Sequence, residues 1–191
     1  MKRLYVIIGL ITLSYNNINC QEPTISMTTT QDTGSYFTLG LYAYENKTLI
    51  RVDFGDGILV AEEIDSTYTS ITGRVKGSKE IKISGDSIKF LDCNSSQLLG
   101  LNVTNATLLK GLRCNSNNLN SLDLSHNLYL SILCCYNNPL DSLDLSKNTK
   151  LTDLYCMSNN LSFLDVSNNP KLTYIQCDNN MLTSLDVSKN M

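Results

Sequence analysis

The sequence predicts an all-β solenoid of five coils, with a parallel sheet along its concave face and a small β domain capping its N-terminal end. Three observations predict this. Cys93, Cys114, Cys135, Cys156 and Cys177 recur at an unbroken interval of 21 residues, and a period of that size with self-similar flanks marks stacked coils. Apolar residues recur in phase with each cysteine, so every coil supplies the same inward set. Residues 24–87 lie out of phase with the repeat yet alternate apolar and polar over short runs, which is the pattern of half-buried strands.

Residues 1–20 open with Lys2-Arg3, continue with an apolar run from Leu4 to Leu13 and end in a polar stretch up to Asn19. That is the order of a secretory signal peptide. The apolar run is too short to span a bilayer, so no transmembrane segment is expected. The expected location is secreted or cell-surface. Lipid attachment at Cys20 would want a small residue just before it and leucine three before it. Asn19 and Asn17 stand there, so cleavage near Cys20 is expected over lipoprotein anchoring.

Residues 21–87 form the N-terminal β-rich cap. Strands are expected at Thr24–Thr30, Tyr36–Tyr44, Thr48–Phe54, Ile58–Ile64, Ile71–Lys76 and Glu80–Ser84. Gly55-Asp56-Gly57 is a turn between two of them. Over six residues, Val52 to Gly57, the chain resembles the hairpin of polycystic-kidney-disease-type Ig-like domains. A full seven-stranded sandwich needs about 100 residues, so a compact cap running straight into the first coil is preferred. Ile81 and Ile83 are expected to line a degenerate coil ahead of it.

Residues 88–191 form the solenoid. Five before each cysteine stand Ile88, Leu109, Leu130, Leu151 and Leu172; two before it stand Leu91, Leu112, Leu133, Leu154 and Ile175. Leu98, Leu119, Leu140, Leu161 and Leu182 follow five after it. The Leu-x-Cys unit alternates with period two, which makes it a short strand with Leu and Cys inward. Twenty-one residues leave no room for a full helix between strands. Asn117, Asn138, Asn159 and Asn180 stand three after the cysteine, where the chain leaves the strand. An inward amide there can satisfy turn groups of the coils above and below that would cost about 1–3 kcal/mol each if unpaired. Asn127, Asn148, Asn169 and Asn190 make a second ladder for the opposite turn. Asp123, Asp144, Asp165 and Asp186, each two before a serine, are expected Asx-turn formers.

Written out, the unit Leu-x-x-Leu-x-Cys-x-x-Asn-x-Leu-x-x-Leu-Asp-Leu/Val-Ser-x-Asn resembles the leucine-rich repeat, in the bacterial, internalin-like variant where Cys replaces one strand Leu. The resemblance covers about residues 88–190 and implies a curved solenoid whose concave parallel sheet binds a ligand. The first repeat departs from it, with Ser96, Asn102, Thr104 and Ala106 at the Asn, Asp, Ser and second Asn positions. The chain stops at Asn190-Met191 just after a complete coil. An uncapped solenoid end exposes core and strand edge, so a longer natural chain or a partner covering that end is expected.

The net charge of −3 and the lack of a basic patch argue against nucleic acid or anionic membrane. The cysteine ladder is expected to be buried free thiols, because parallel Cβ vectors suit disulfides poorly and each coil offers one sulfur where zinc needs converging ligands. Cys134 alternates with Cys135 and is expected to face outward as an accessible thiol. The Asp ladder lacks the glycine-rich turns of calcium solenoids, and turn capping is the commoner use of Asp53 and Asp56, so neither metal nor cofactor is expected. Catalysis is not expected either: the one histidine, His126, occupies a turn position where other coils have Lys147, Asn168 and Lys189.

The framework repeats; the outward strand positions do not. They include Phe90, Asp92, Arg113, Tyr136, Asp153, Tyr155, Met157, Tyr174, Gln176 and Asp178. Aromatic groups interspersed with charges are what recognition surfaces use. The expected function is therefore non-catalytic binding of a protein partner through the concave face. The alternatives are a glycan on the Tyr136–Tyr155–Tyr174 strip, and a structural spacer with no ligand there.

Overall fold

The computed structural model describes residues 24–190; the expected signal segment and Cys20 lie outside the described residues. The chain runs through Ile25–Thr29 (β1), Tyr36–Ala43 (β2), Thr48–Asp53 (β3), Val60–Ile64 (β4), Thr69–Arg74 (β5) and Glu80–Ser84 (β6). The strands Ile88–Asp92 (β7), Leu98–Asn102 (β8), Gly111–Arg113 (β9), Ile132–Cys134 (β10), Asp153–Tyr155 (β11) and Tyr174–Gln176 (β12) follow. No helix occurs among the described residues.

The first six strands follow their alternation. Phe37, Leu39 and Leu41 of β2, Ile50 and Val52 of β3, and Ile81 and Ile83 of β6 are all fully or nearly fully buried, while the residues between them are more exposed or sit at the sheet face. The β3–β4 hairpin turns on one carboxylate: Asp53 Oδ1 accepts from the amides of Gly55, Asp56 and Gly57 at 2.7, 3.0 and 3.0 Å. This is a turn-capping role.

Two sheets hold the molecule, and each crosses from cap to solenoid. One has the order β4-β3-β6-β1-β8; the other has the order β12-β11-β10-β9-β7-β2-β5. In the second, β7, β9, β10, β11 and β12 are parallel and in register, with Leu91, Leu112, Leu133, Leu154 and Ile175 paired in succession. Strand β2 then adds antiparallel to β7, and β5 to β2. On the other side β8, the convex arm of the first coil, pairs with β1. Buried residues from Ile25 to Leu172 form one continuous core. The sheet edge and apolar end that a first coil would expose are thereby paired and covered.

The expectation that Ile81 and Ile83 line a degenerate coil is overturned. They lie on β6, antiparallel to both β1 and β3. The pairing places their side chains in the core of the cap, where antiparallel neighbours rather than a stacked coil cover them.

Each coil turns by a repeated device. Two residues after the cysteine, Ser95, Ser116, Asn137, Ser158 and Asn179 adopt positive φ between 51° and 56°. That left-handed step ends the strand and turns the chain inward. The next asparagine satisfies the turn. Asn138 Nδ2 donates to the carbonyls of Cys114 and Cys135 at 3.1 and 3.0 Å, and its Oδ1 accepts from Leu119 N at 3.0 Å. Asn117, Asn159 and Asn180 repeat the pattern. These bonds reach the asparagine's own coil and the preceding one, so each amide ties two coils rather than three. In the opposite turn, Nδ2 of Asn127, Asn148, Asn169 and Asn190 donates to carbonyls 24 and 21 residues earlier.

The convex arms are closed by Asx turns: Asp123, Asp144, Asp165 and Asp186 accept from the amides of Ser125, Ser146, Ser167 and Ser188 at 2.8–2.9 Å. In the divergent first coil Asn102 accepts from Thr104 N at 3.0 Å, so the substituted pair keeps the same bond. Ser96, where other coils have asparagine, is served from the cap: Thr29 Oγ1 donates to its carbonyl at 2.8 Å.

Candidate functional site

The strand register sorts the outward side chains of the concave sheet into rows. The first row runs Tyr42, Phe90, Gly111, Ile132, Asp153, Tyr174; the second runs Gly40, Asp92, Arg113, Cys134, Tyr155, Gln176. Asn94, Asn115, Tyr136, Met157 and Asp178 follow two residues on as a third row. Leu and Cys between them point into the core, and the ladder amides and carbonyls are engaged between strands, so side chains alone define the chemistry of this face.

A depression of about 600 Å³ lies at its centre, bordered by Arg113, Tyr136, Asp153, Tyr155, Met157 and Gln176 among others. Six of the ten residues expected from sequence meet there. The other four stand around it. Tyr174 packs its ring on Tyr155, centroids 5.0 Å apart at an interplanar angle of 37°. Asp178 is exposed at the margin. Phe90 and Asp92 occupy β7, where Arg113 links them: its guanidinium lies 3.8 Å from Asp92 Oδ2 and 5.3 Å from the Phe90 ring centroid. Tyr136, Tyr155 and Tyr174 occupy three different rows, so the tyrosine strip runs diagonally across the coils.

Arg113 is exposed, the anchored cation of the face. Asp153 accepts from Thr152 Oγ1 at 2.6 Å, which fixes its carboxylate. Desolvation, with Tyr174 and Asp153 nearby, pushes the Tyr155 phenol up from its ordinary value, so it stays neutral and offers an O–H donor. The depression thus presents one cation, one fixed anion, phenol groups and the Met157 thioether.

Cys134 corrects an expectation. It occupies the outward second row but is buried at 8% exposure. Burial pushes its thiol up, while the neighbouring Arg113 pulls it partly back. The alternation placed the side chain on the right face; a three-residue strand between large neighbours leaves it little water. Of the inward ladder, Cys93, Cys114, Cys135 and Cys156 are buried and Cys177 is half-buried. All five thiols are pushed up by burial, Cys156 to about 12. All the described cysteines are free, and no cluster of metal-ligating side chains occurs among the described residues.

The face is wider than the repeat indicates. Because β2 and β5 extend the sheet, Tyr42 joins the first row and meets Phe90 edge-on at 5.3 Å; Tyr68 meets Tyr42 at 5.5 Å on the other side. Neither tyrosine lies in the repeat. The alternation of β2 put Tyr42 opposite the core, but its partner strand lies nearly fifty residues on.

No family model matches the chain, and no curated protein does. Solved structures do. The functional domain of InlJ from Listeria monocytogenes, described as including a cysteine ladder, is 46% identical over 54% of this chain and 23% of that one, with a TM-score of 0.53. Internalin C2 from the same species is 27% identical over 54% of this chain and 46% of its own, with a TM-score of 0.51. The chain spans less than half the length of either. The repeat half is an internalin-like leucine-rich-repeat solenoid, a fold of the protein-interaction kind. No helix among the described residues is long and apolar enough to cross a membrane.

Proposed function

We propose that this chain is an exported, non-catalytic recognition module that binds a protein through its concave sheet. One observation carries the reading. In a solenoid whose core and amide ladders repeat coil by coil, the outward rows of the concave sheet vary at every coil, and six of their varied side chains meet at the depression around Tyr155. A spacer has no need of a pair of packed tyrosine rings beside an anchored arginine and a fixed aspartate. Such groups at the centre of a face are the usual anchors of protein interfaces. Export is supported by the order of residues 1–20, and a surface or secreted location by the internalin likeness.

A glycan on the Tyr155–Tyr174 pair is the second reading, favoured by the contact of those two rings. Arg113, Asp92 and Asp153 favour a protein, since alternating charges across the depression offer complementarity that a neutral sugar does not use. A photo-crosslinking side chain in place of Gln176 tests it. On intact cells or tissue extract it should capture a discrete protein, whereas the same group at Lys147, in a turn away from the sheet, should not. Equal capture from both positions would refute the proposal.

A further inference from the structure

A second groove, of about 720 Å³, lies where the coils enter their concave strands. It takes its residues from a face the repeat pattern does not mark: Tyr44 from the cap, Leu108 and Lys110 from the second coil, Tyr129 from the third, and Lys150 from the fourth. Tyr44, Leu108 and Tyr129 are 36–44% exposed. The Tyr44 phenol is held in place by donating to the Leu108 carbonyl at 3.0 Å. Lys110 Nζ sits 5.0 Å and Lys89 Nζ 5.9 Å from the Tyr44 ring centroid; Lys150 Nζ sits 4.1 Å from that of Tyr129.

None of these three lysines makes an ion pair among the described residues. In a chain of net charge −3, Lys110 and Lys150 line the groove with Glu45 as the carboxylate of its lining, and Lys89 adds a third ammonium group at the Tyr44 ring, so cations outnumber the carboxylate there and form a local positive field. The rings hold the cations by cation–π attraction while leaving their N–H donors to a ligand. We propose that this groove binds an anionic oligosaccharide, a chain bearing carboxylate or sulfate groups, with the lysines on the acid groups and the tyrosines under the apolar C–H faces of the sugar rings.

The backbone decides against an acidic peptide. Along this wall the amides are already engaged: Lys110 N with Lys89 O, Ser131 N with Lys110 O, and Thr152 N with Ser131 O, each at 2.8 Å. An added peptide strand would find few main-chain partners. Recognition falls to rings, ammonium groups and hydroxyls, which suit a sugar acid. The groove also lies apart from the concave rows, so this proposal does not depend on the protein-binding reading.

The test is calorimetric titration of the chain with galacturonate, hyaluronan and heparin tetrasaccharides at low salt, with a carboxyl-reduced galacturonate tetrasaccharide and a tetraglutamate peptide as controls. At least one anionic sugar should bind, weakening as salt rises. The galacturonate and heparin arms separate carboxylate from sulfate recognition. Lys110→Gln with Lys150→Gln should weaken binding by about tenfold or more. Tyr129→Ala should weaken it as well, with the melting temperature held near that of the parent. Lys147→Gln, a turn lysine outside the groove, should leave it unchanged. Failure of all three sugars to bind, equal binding of tetraglutamate, or insensitivity to the double lysine variant would overturn the proposal.

Discussion

Gly111 lies directly beneath the ring of Phe90: a Cβ built on this glycine would stand 2.1 Å from two of the ring carbons. The missing side chain lets the ring lie flat across the next strand, where it meets Tyr42 on one side and the Arg113 guanidinium on the other. A single absent methyl therefore shapes the end of the concave face nearest the cap. Gly111→Ala should lift the ring and displace Arg113, destabilising the fold by about 1–3 kcal/mol through overpacking. Urea denaturation checks the cost. An unchanged midpoint would mean that the ring has another resting place.

Asn138 stitches two coils with one amide. Asn138→Ala should leave the buried amide of Leu119 without its acceptor, while the carbonyls of Cys114 and Cys135 each lose one of two donors and keep Asn117 Nδ2 and Asn159 Nδ2 respectively. At about 1–3 kcal/mol for a buried group left unpaired, the loss should fall in that range. Asn138→Asp should also destabilise, since a carboxylate cannot donate to those carbonyls. A loss under about 1 kcal/mol for the alanine variant would show that water replaces the amide.

The thiols should resist alkylation in the native state. The nucleophile is the thiolate, and burial raises every one of these thiols above its ordinary value, so the reactive fraction near pH 8 is small. Cys177, the half-buried one, should label first among the described residues; Cys134 should lag with Cys114 and Cys135. Mass-spectrometric mapping after a short pulse of iodoacetamide decides the order. Rapid modification of Cys134 would restore it as an accessible thiol.

Acid should loosen the convex turns. Asp123, Asp144 and Asp186 are held below their ordinary value of 3.8 chiefly by the serine amides they accept, and Asp165 chiefly by the Ser167 hydroxyl together with its amide. A carboxyl whose folded pKa is depressed contributes stability above its unfolded pKa and loses it as pH falls through the folded value. The denaturation midpoint should therefore drop as pH falls from about 4 downward. Asp144→Asn keeps the accepting oxygen, as Asn102 does in the first coil, and should flatten that acid limb. An acid limb identical to that of the parent would separate these turns from the acid sensitivity.

Much of this architecture was legible because a 21-residue period aligns every inward residue with its equivalents, and alternation locates the cap strands to within a residue or two. Tyr36–Tyr44 was expected and Tyr36–Ala43 is found; Ile71–Lys76 was expected and Thr69–Arg74 is found. What stayed hidden depends on pairing between distant segments. Nothing local tells β2 to join β7, or β1 to join β8, so the shared sheets, the place of Tyr42 in the first row and the true neighbours of Ile81 were not readable. The positive φ at Ser116 and Ser158 was also hidden, since serine does not announce that conformation as glycine would. The lateral groove escaped because Tyr44 and Lys110 meet only once the cap is docked.

On the proposed function, the outward rows of the concave sheet carry recognition, with Tyr155 near the middle of them. The most direct measurement is the affinity for a captured partner of three variants: Tyr155→Ala, Tyr155→Ala combined with Tyr136→Ala, and Lys147→Ala. Truncating a central aromatic anchor typically costs about 2 kcal/mol or more. Affinity should fall roughly thirtyfold for Tyr155→Ala, further for the pair, and not at all for Lys147→Ala, with all three retaining the parent's thermal melt. Unchanged affinity in the tyrosine double variant would contradict that proposal and move the binding surface off the concave sheet.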